Sequence, residues 1–331
     1  MRILFLGKKR DYFLHYNFKQ NPQWIEGAIW YITHFIEEVK RQCDVIHCEP
    51  DIVKGCIDYP FDIPKNGIIK DLEFDIILIN GMYSENLYRI NEIKNIPKVI
   101  LSGDLYQGAY RYSKMRRRLR YYNFDLLFGY SSLVTFWAEQ WGCAKSFDIL
   151  PFSVDINIYQ KWDIPKRFDV MASFSTLRQG YAQKRRGGPL LQIRKQIQEL
   201  VQKMLLTSWT KGSWYIDNVL KINQSKICLN YLHQGFFNPR YFEVLACGGF
   251  LLTNQPIYDL ERIGLEAGKH FATFKGLNDL EEKIEYWLTH DKERERIARQ
   301  GMRFVRRYHN TKVRVKEFIQ KVEKFLSKRL L

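Results

Sequence analysis

The stretch Ser225–Asp259, SKICLNYLHQGFFNPRYFEVLACGGFLLTNQPIYD, decides how the rest of the chain is read. Lys226–Tyr231 is a short apolar run of β type, suited to a strand buried on both faces. Gly235 to Asn238 interrupt it. Asn238 is a good N-cap, and Pro239 at the first helical position gives up only an amide that would have lacked a helical partner. The following helix carries Tyr241, Phe242, Leu245 and Ala246 and stops at Gly248-Gly249, a C-cap signal. A second buried strand, Phe250–Thr253, comes next. In such a unit the helix N-terminus lies at the carboxyl edge of a parallel sheet, where its free amides and positive dipole end suit a phosphate. Arg240 and Glu243 fall in the first turn and a half. The guanidinium can neutralise anionic oxygens, and the carboxylate can accept bonds from vicinal hydroxyls of a ribose or a sugar. By spacing alone the stretch also reads as an ordinary capped helix between two strands.

Outward from this centre, a chain of 331 residues is long enough for two domains, each with its own core. Hydrophobic residues make up 46% of it and no polar low-complexity tract interrupts them, so a globular chain is expected throughout. No apolar run approaches the roughly 20 residues of a membrane-spanning helix. Met1–Gly7, apolar but short and without a cleavage site, reads as a first strand and not as a signal peptide. Six cysteines (43, 48, 56, 143, 228 and 247) form no C-x-x-C pair, which points to reduced structural thiols in a cytoplasmic protein and to no metal site. The formal charge of +16 argues for an anionic partner or surface, because net charge bears on association and not on fold.

The first half alternates buried strands and helices in the doubly wound manner. Candidate strands are Arg2–Leu6, Asp44–Cys48, Asp75–Asn80, Lys98–Ser102, Asp125–Phe128 and Phe147–Leu150, with a helix over about Gln23–Arg41. The loop after the first strand, Gly7–Asn21, is not G-x-G-x-x-G, so a dehydrogenase fingerprint is missing. Asp104 follows the fourth strand at its carboxyl edge. It reads either as a base that takes a proton from an acceptor hydroxyl or as a helix N-cap. Tyr106–Phe124 is the most basic stretch. Arg111, Lys114, Arg116, Arg117, Arg118 and Arg120 interleave there with Tyr110, Tyr112 and other tyrosines. Such a mixture suits a polyanion with rings to stack on, an anionic membrane face, or a solvated helix face.

The second half opens at Arg167–Ser173 with a strand, followed by the basic, glycine-containing loop Phe174–Gly188. A helix is expected at Leu190–Lys203 and a strand at Met204–Thr207. Beyond the central stretch, Tyr258, Asp259 and Glu261 open a helix and His270–Phe274 is a last strand. Asn278 with Glu281 reads as a capping box, Asp291 as the cap of the next helix, and Thr311–Leu331 as an amphipathic basic helix.

The segment Glu243-Val-Leu-Ala246-Cys-Gly248 resembles the E-x-x-A-x-G helix that closes on the donor nucleotide in GT-B glycosyltransferases. The longer pattern SKICLN, PRYFEVLACGGFLLTN and the C-terminal run is similar to the spore-maturation CgeB-like branch, over roughly residues 222 to 317. Ile149–Tyr159 resembles the L-P-x-G-V-D-x-x-x-F crossover of such chains, with Ser153 in place of Gly. The resemblance implies an α/β fold of two Rossmann-like doubly wound domains facing across a cleft. Residues 1–158 would bind acceptor and 159–310 the nucleotide sugar, with 311–331 a helix crossing back to the first domain. It implies transfer of a glycosyl unit from a nucleotide-diphospho-sugar, UDP-sugar above all, with no cofactor, and since the sequence has no D-x-D motif suited to a metal-bridged diphosphate, metal independence is expected. Glu243, Arg240, Asn238, Gly235 and the loop cations Arg178, Lys184 and Arg185 would then meet the donor. His15 and Asp104 would face the chemistry. The basic stretch would hold an anionic acceptor, either nucleic acid or a lipid-linked glycan at the inner membrane face. One departure stands out. The first acid of the family's E-x7-E pair would fall at position 235, which is Gly235. The competing class is a non-catalytic protein that binds nucleic acid or an anionic surface and retains the fold.

Overall fold

The computed structural model describes residues 1–6, 31–48, 51–53, 56–58, 73–80, 90, 93–102, 117, 119–172, 188–204, 207–209, 215–232, 235 and 237–329. The chain forms two compact units. One comprises Met1–Pro22, Ala28–Pro151 and Arg314–Leu331, the other Gln23–Gly27 and Phe152–Val313.

The elements of the first unit are β1 (Arg2–Leu6), α1 (Tyr31–Gln42), β2 (Asp44–Cys48), β3 (Asp51–Val53), β4 (Cys56–Asp58), β5 (Ile76–Asn80), β6 (Lys98–Leu101), β7 (Phe124–Gly129), α2 (Ser132–Gln140) and β8 (Ala144–Ile149). Six of its strands make a parallel sheet in the order β2-β1-β5-β6-β7-β8, and β3 and β4 form a separate antiparallel pair. Each residue of β6 and β7 is buried. That is why they read as unbroken apolar runs rather than as alternating ones: a parallel sheet is covered on both faces. β8 is the exception. It begins three residues before the expected Phe147, because an edge strand tolerates polar residues such as the exposed Lys145 and the half-buried Ser146.

On one face Ile3, Phe5, Ile76, Leu78, Val99, Leu126 and Phe128 pack with Phe35, Ile36 and Val39 of α1. The same cluster takes in Val315, Phe318 and Val322. These lie on the terminal helix Thr311–Arg329, whose residues from Arg314 on belong to this unit. Lys321 ties that helix down through Asp148 Oδ1 at 2.7 Å and the Ile149 carbonyl at 2.9 Å.

The second unit holds β9 (Phe168–Ala172), α3 (Gly188–Met204), β10 (Thr207–Trp209), α4 (Tyr215–Gln224), β11 (Ser225–Asn230), α5 (Pro239–Ala246), β12 (Leu251–Asn254), α6 (Leu260–Ile263), β13 (Ala272–Phe274), α7 (Leu277–Thr289) and α8 (Asp291–Tyr308), after which the terminal helix is α9. Its five strands are parallel in the order β10-β9-β11-β12-β13. The chain thus winds outward from β9 to β10, then returns to β11 and winds the other way. The switch point falls between β9 and β11.

Three local expectations differ from the structure. Met204 ends α3 instead of opening a strand, since Ile197 and Val201 continue a buried helical face to that point, and the strand lies at Thr207–Trp209. Asn278 and Glu281 form no capping box. α7 starts two residues earlier than that box requires, after an extended Gly276, and Asp279 reaches back to accept from the Lys275 amide at 2.7 Å. Asp291 is inside α8, where it pairs with Arg294, and no side chain caps that helix.

Candidate active site

At the carboxyl edge of the second sheet β11 ends in Asn230, and Asn238, the N-cap of α5, follows eight residues later. The two side-chain amides bond reciprocally, each Nδ2 donating to the other's Oδ1 at 3.3 Å. Asn238 Oδ1 also accepts from the Tyr241 amide at 3.3 Å. A helix N-terminus is thereby fastened to the end of the central strand beside the switch point, the position that favours an anion in this topology. Asn254, at the end of β12, accepts from the Leu232 amide and donates to the Leu232 carbonyl, which fixes the chain as it leaves β11.

Gly235 lies between these anchors with φ of +76°. Its carbonyl accepts from the Ile257 amide at 2.6 Å and the Tyr258 amide at 3.1 Å. A Cβ there would meet the Ile257 side chain at 2.8 Å. A left-handed residue against a neighbouring side chain is a place for glycine. The absence of an acid at this position is therefore built into the loop.

Three side chains converge on the Glu243 carboxylate. Arg240 Nη1 is 3.1 Å from Oε2, with the two side chains 21% and 19% exposed. Asn218 of α4, only 1% exposed, donates to the same oxygen at 3.4 Å. The Tyr159 phenol also bonds Glu243. Burial first, and then the Glu243 charge, push that phenol well above its ordinary pKa, so it stays a donor. Among the described residues Arg240 Nη1 makes no aligned hydrogen bond and Asn218 Oδ1 has no hydrogen-bond partner. Behind the helix, Arg306 donates to the carbonyls of Ile156, Tyr159 and Ala246, and so holds the Tyr159 segment against the end of α5. Cys247, the C-cap, is pushed well above a thiol's usual pKa by burial and then by Cys228 and Glu243. It is an inert structural thiol.

The structure thus brings together Asn238, Gly235, Arg240 and Glu243 of the residues singled out in the sequence. It adds Tyr159, Asn218 and Asn230, which were not singled out. It also adds Arg194 of α3, whose Nη2 donates to the Tyr231 carbonyl at 3.3 Å, just past the end of β11. Burial lowers the pKa of that guanidinium. Arg178, Lys184 and Arg185, which follow β9, lie outside the described residues, as do His15, Asp104, Tyr110, Arg111, Tyr112, Lys114, Arg116 and Arg118. Arg117 and Arg120 are described and exposed.

Two parallel-sheet α/β units, with a terminal helix completing the first, make the GT-B fold, and solved structures of that class match over nearly the whole chain. Sucrose-phosphate synthase from Thermosynechococcus elongatus matches 99% of this chain and 100% of its own, with a TM-score of 0.63 at 12% identity. HepE from Anabaena, in complex with UDP and glucose, gives 0.61 at 11% identity over 98% and 100%. The DNA-modifying enzyme β-glucosyltransferase, studied with and without its substrate uridine diphosphoglucose, gives 0.58 at 12% identity over 97% and 99%. Residues 202–320, which contain α4, β11 and α5, match a protein family described as glycosyl transferase-like. No curated protein matches the sequence.

Proposed function

We propose that this protein is a glycosyltransferase that moves a sugar from a nucleotide-diphospho-sugar, a UDP-sugar first of all, to an anionic acceptor. One observation carries the reading. Arg240 and Glu243 stand together on a capped helix N-terminus at the switch point, within the segment that matches the glycosyl transferase-like family. HepE with UDP and glucose shares the fold, which supports a UDP-sugar donor. In this reading Arg240, Arg194, the helix amides and the loop cations Arg178, Lys184 and Arg185 neutralise the departing diphosphate electrostatically. Glu243 accepts hydroxyls of ribose or sugar, and Asp104 or His15 takes the acceptor proton. No metal and no cofactor enters the scheme.

The sequence patterns quoted above support a CgeB-like branch, and four buried or half-buried free cysteines among the described residues agree with a reducing cytoplasm. Among the described residues no helix is long and apolar enough to cross a membrane. The acceptor is a nucleic acid or a glycan at the membrane surface, held by the basic stretch of the first unit. Gly235 in the acid position favours a second reading, a binding protein without turnover. Incubation with a panel of nucleotide sugars decides between them. Release of free nucleotide from at least one donor, lost in Glu243→Ala, supports the enzyme. Tight nucleotide binding with no release from any donor supports the binder.

A further inference from the structure

We propose that the first unit carries an interfacial anchor for an anionic lipid bilayer, built from α2 and the helical turn before β7. The observation is an exposed aromatic cluster edged by arginine. Phe136 and Trp137, neighbours on α2, are 49% and 37% exposed, while Val134 and Ala138 of the same helix are buried. Phe136 meets Trp137 edge to face at 5.3 Å, and Trp137 stacks on Trp141 at 5.4 Å and 29°. Arg120 joins this row through a 2.6 Å bond from Nε to the Trp141 carbonyl. Tyr121, the next residue, is 71% exposed, and Arg117 one turn earlier is exposed as well. Large aromatics cost free energy in water when they gather in a patch, and such patches mark contact surfaces.

A bilayer is the occupant that fits this chemistry. Tryptophan and tyrosine settle at the headgroup level, phenylalanine beneath it, and arginine on the phosphates. The net charge of +16 supplies the long-range attraction to an anionic surface. Nucleic acid fits less well. α2 contains no lysine or arginine and exposes Glu139 and Gln140, so it offers nothing to a phosphate backbone. The stack of Trp137 on Trp141 also takes up one face of each indole. The proposal does not rest on catalysis.

The test uses the whole protein and vesicles of equimolar phosphatidylglycerol and phosphatidylcholine, with pure phosphatidylcholine as control. Sedimentation with the anionic vesicles, and quenching of tryptophan emission by brominated lipid, are expected at low salt. Phe136→Ser with Trp137→Ser should weaken partition by about tenfold or more, since each removes a buried aromatic from the interface. Glu139→Lys, on the same face, should strengthen it by roughly fivefold or more, because each surface cation near anionic lipid adds attraction. Both changes are on the surface, and an unchanged circular dichroism spectrum checks the fold. No binding to anionic vesicles overturns the proposal, as does binding that neither variant alters. Retention of single-stranded DNA that the double serine variant abolishes would assign the patch to nucleic acid instead. A dimer in gel filtration that the same variant dissociates would assign it to a second copy of the chain.

Discussion

The Tyr159 phenol bonds Glu243 across a long sequence separation, and Asn218 and Arg240 close on the same carboxylate. A carboxylate held by three partners has little freedom to turn away from a ligand's hydroxyls. Tyr159→Phe removes one restraint and leaves the ring's packing in place. The expected result is a stability loss of about 1 kcal/mol, together with weaker UDP binding than the parent protein. Glu243→Gln should weaken UDP binding by about tenfold or more, the worth of a charge-assisted bond. Calorimetric titration with UDP on both variants checks this. Unchanged affinity in Glu243→Gln would remove Glu243 from the donor site.

Arg240 is singled out by its Nη1, which stands near Glu243 yet makes no aligned hydrogen bond among the described residues. A diphosphate would give it one. Arg240→Ala should therefore reduce affinity for UDP far more than affinity for uridine. Equal losses for both ligands would make Arg240 a structural partner of Glu243 and place the phosphate site elsewhere.

The core of this site was legible in the sequence because its signals are local. An N-cap, a proline at the first helical position and a glycine pair at the end fix α5 within a few residues, and Arg240 and Glu243 follow from the helical spacing. Tyr159 and Asn218 were not legible in that way. Tyr159 stands in the crossover segment and read there only as an aromatic landmark, and Asn218 is a polar residue inside an amphipathic helix. What gives them a role is the packing of α4 and of residues 155–160 against α5, which only the tertiary structure supplies. The same distinction explains the strand order. The buried apolar runs marked the strands, but the placement of β9 beside β11 comes from register pairs such as Ile227 with Val170.

Gly235 offers a direct test of whether the acid position is vacant by design of the loop. Gly235→Glu would place a side chain at φ of +76° and against Ile257. A loss of stability of about 1–2 kcal/mol is expected, from backbone strain of this kind, with no gain in turnover. Gly235→Ala, carrying the same strain without the charge, should lose a similar amount. If the glutamate variant gained activity at unchanged stability, the loop would be adaptable and the position catalytic.

Buried thiols and phenols make stability sensitive to alkali. Burial pushes the Cys228 thiol from 9.0 up to about 12 and raises Cys247 well above 9.0. Burial also raises Tyr159 and Tyr241 well above 10.0. A pKa raised on folding means that the native state keeps a proton the unfolded chain has released. The contribution of these groups is therefore complete below about pH 9 and is lost as pH rises toward 12. Lys98 and Lys166 work the other way. Burial lowers both from 10.5, so the unfolded chain binds more protons and their effect offsets part of the loss. Urea unfolding at a series of alkaline pH values should show a falling stability, and Cys228→Ala should make the fall shallower by about 1.4 kcal/mol per pH unit within that window. An unaltered slope in the variant would show that Cys228 does not hold its proton as the burial argues.

The last prediction concerns the terminal helix. Phe318 is fully buried, 5.5 Å in centroid distance from both Phe35 and Phe128, so one ring of α9 joins α1 to the sheet at β7. Val315 and Val322 flank it in the same core. The helix is thus part of the first unit's hydrophobic core and not an appendage to it. Removing a fully buried aromatic leaves a cavity as well as losing transfer energy, which costs about 3–5 kcal/mol. Phe318→Ala should lower the thermal midpoint by several degrees or more and expose the first unit to limited proteolysis. Lys321→Met, which removes the bonds to Asp148 and Ile149 but keeps the stem, should cost less, because a half-exposed ion pair contributes little. Differential scanning calorimetry of the two variants orders these effects. A larger loss in Lys321→Met than in Phe318→Ala would mean that charge, and not burial, holds the helix in place.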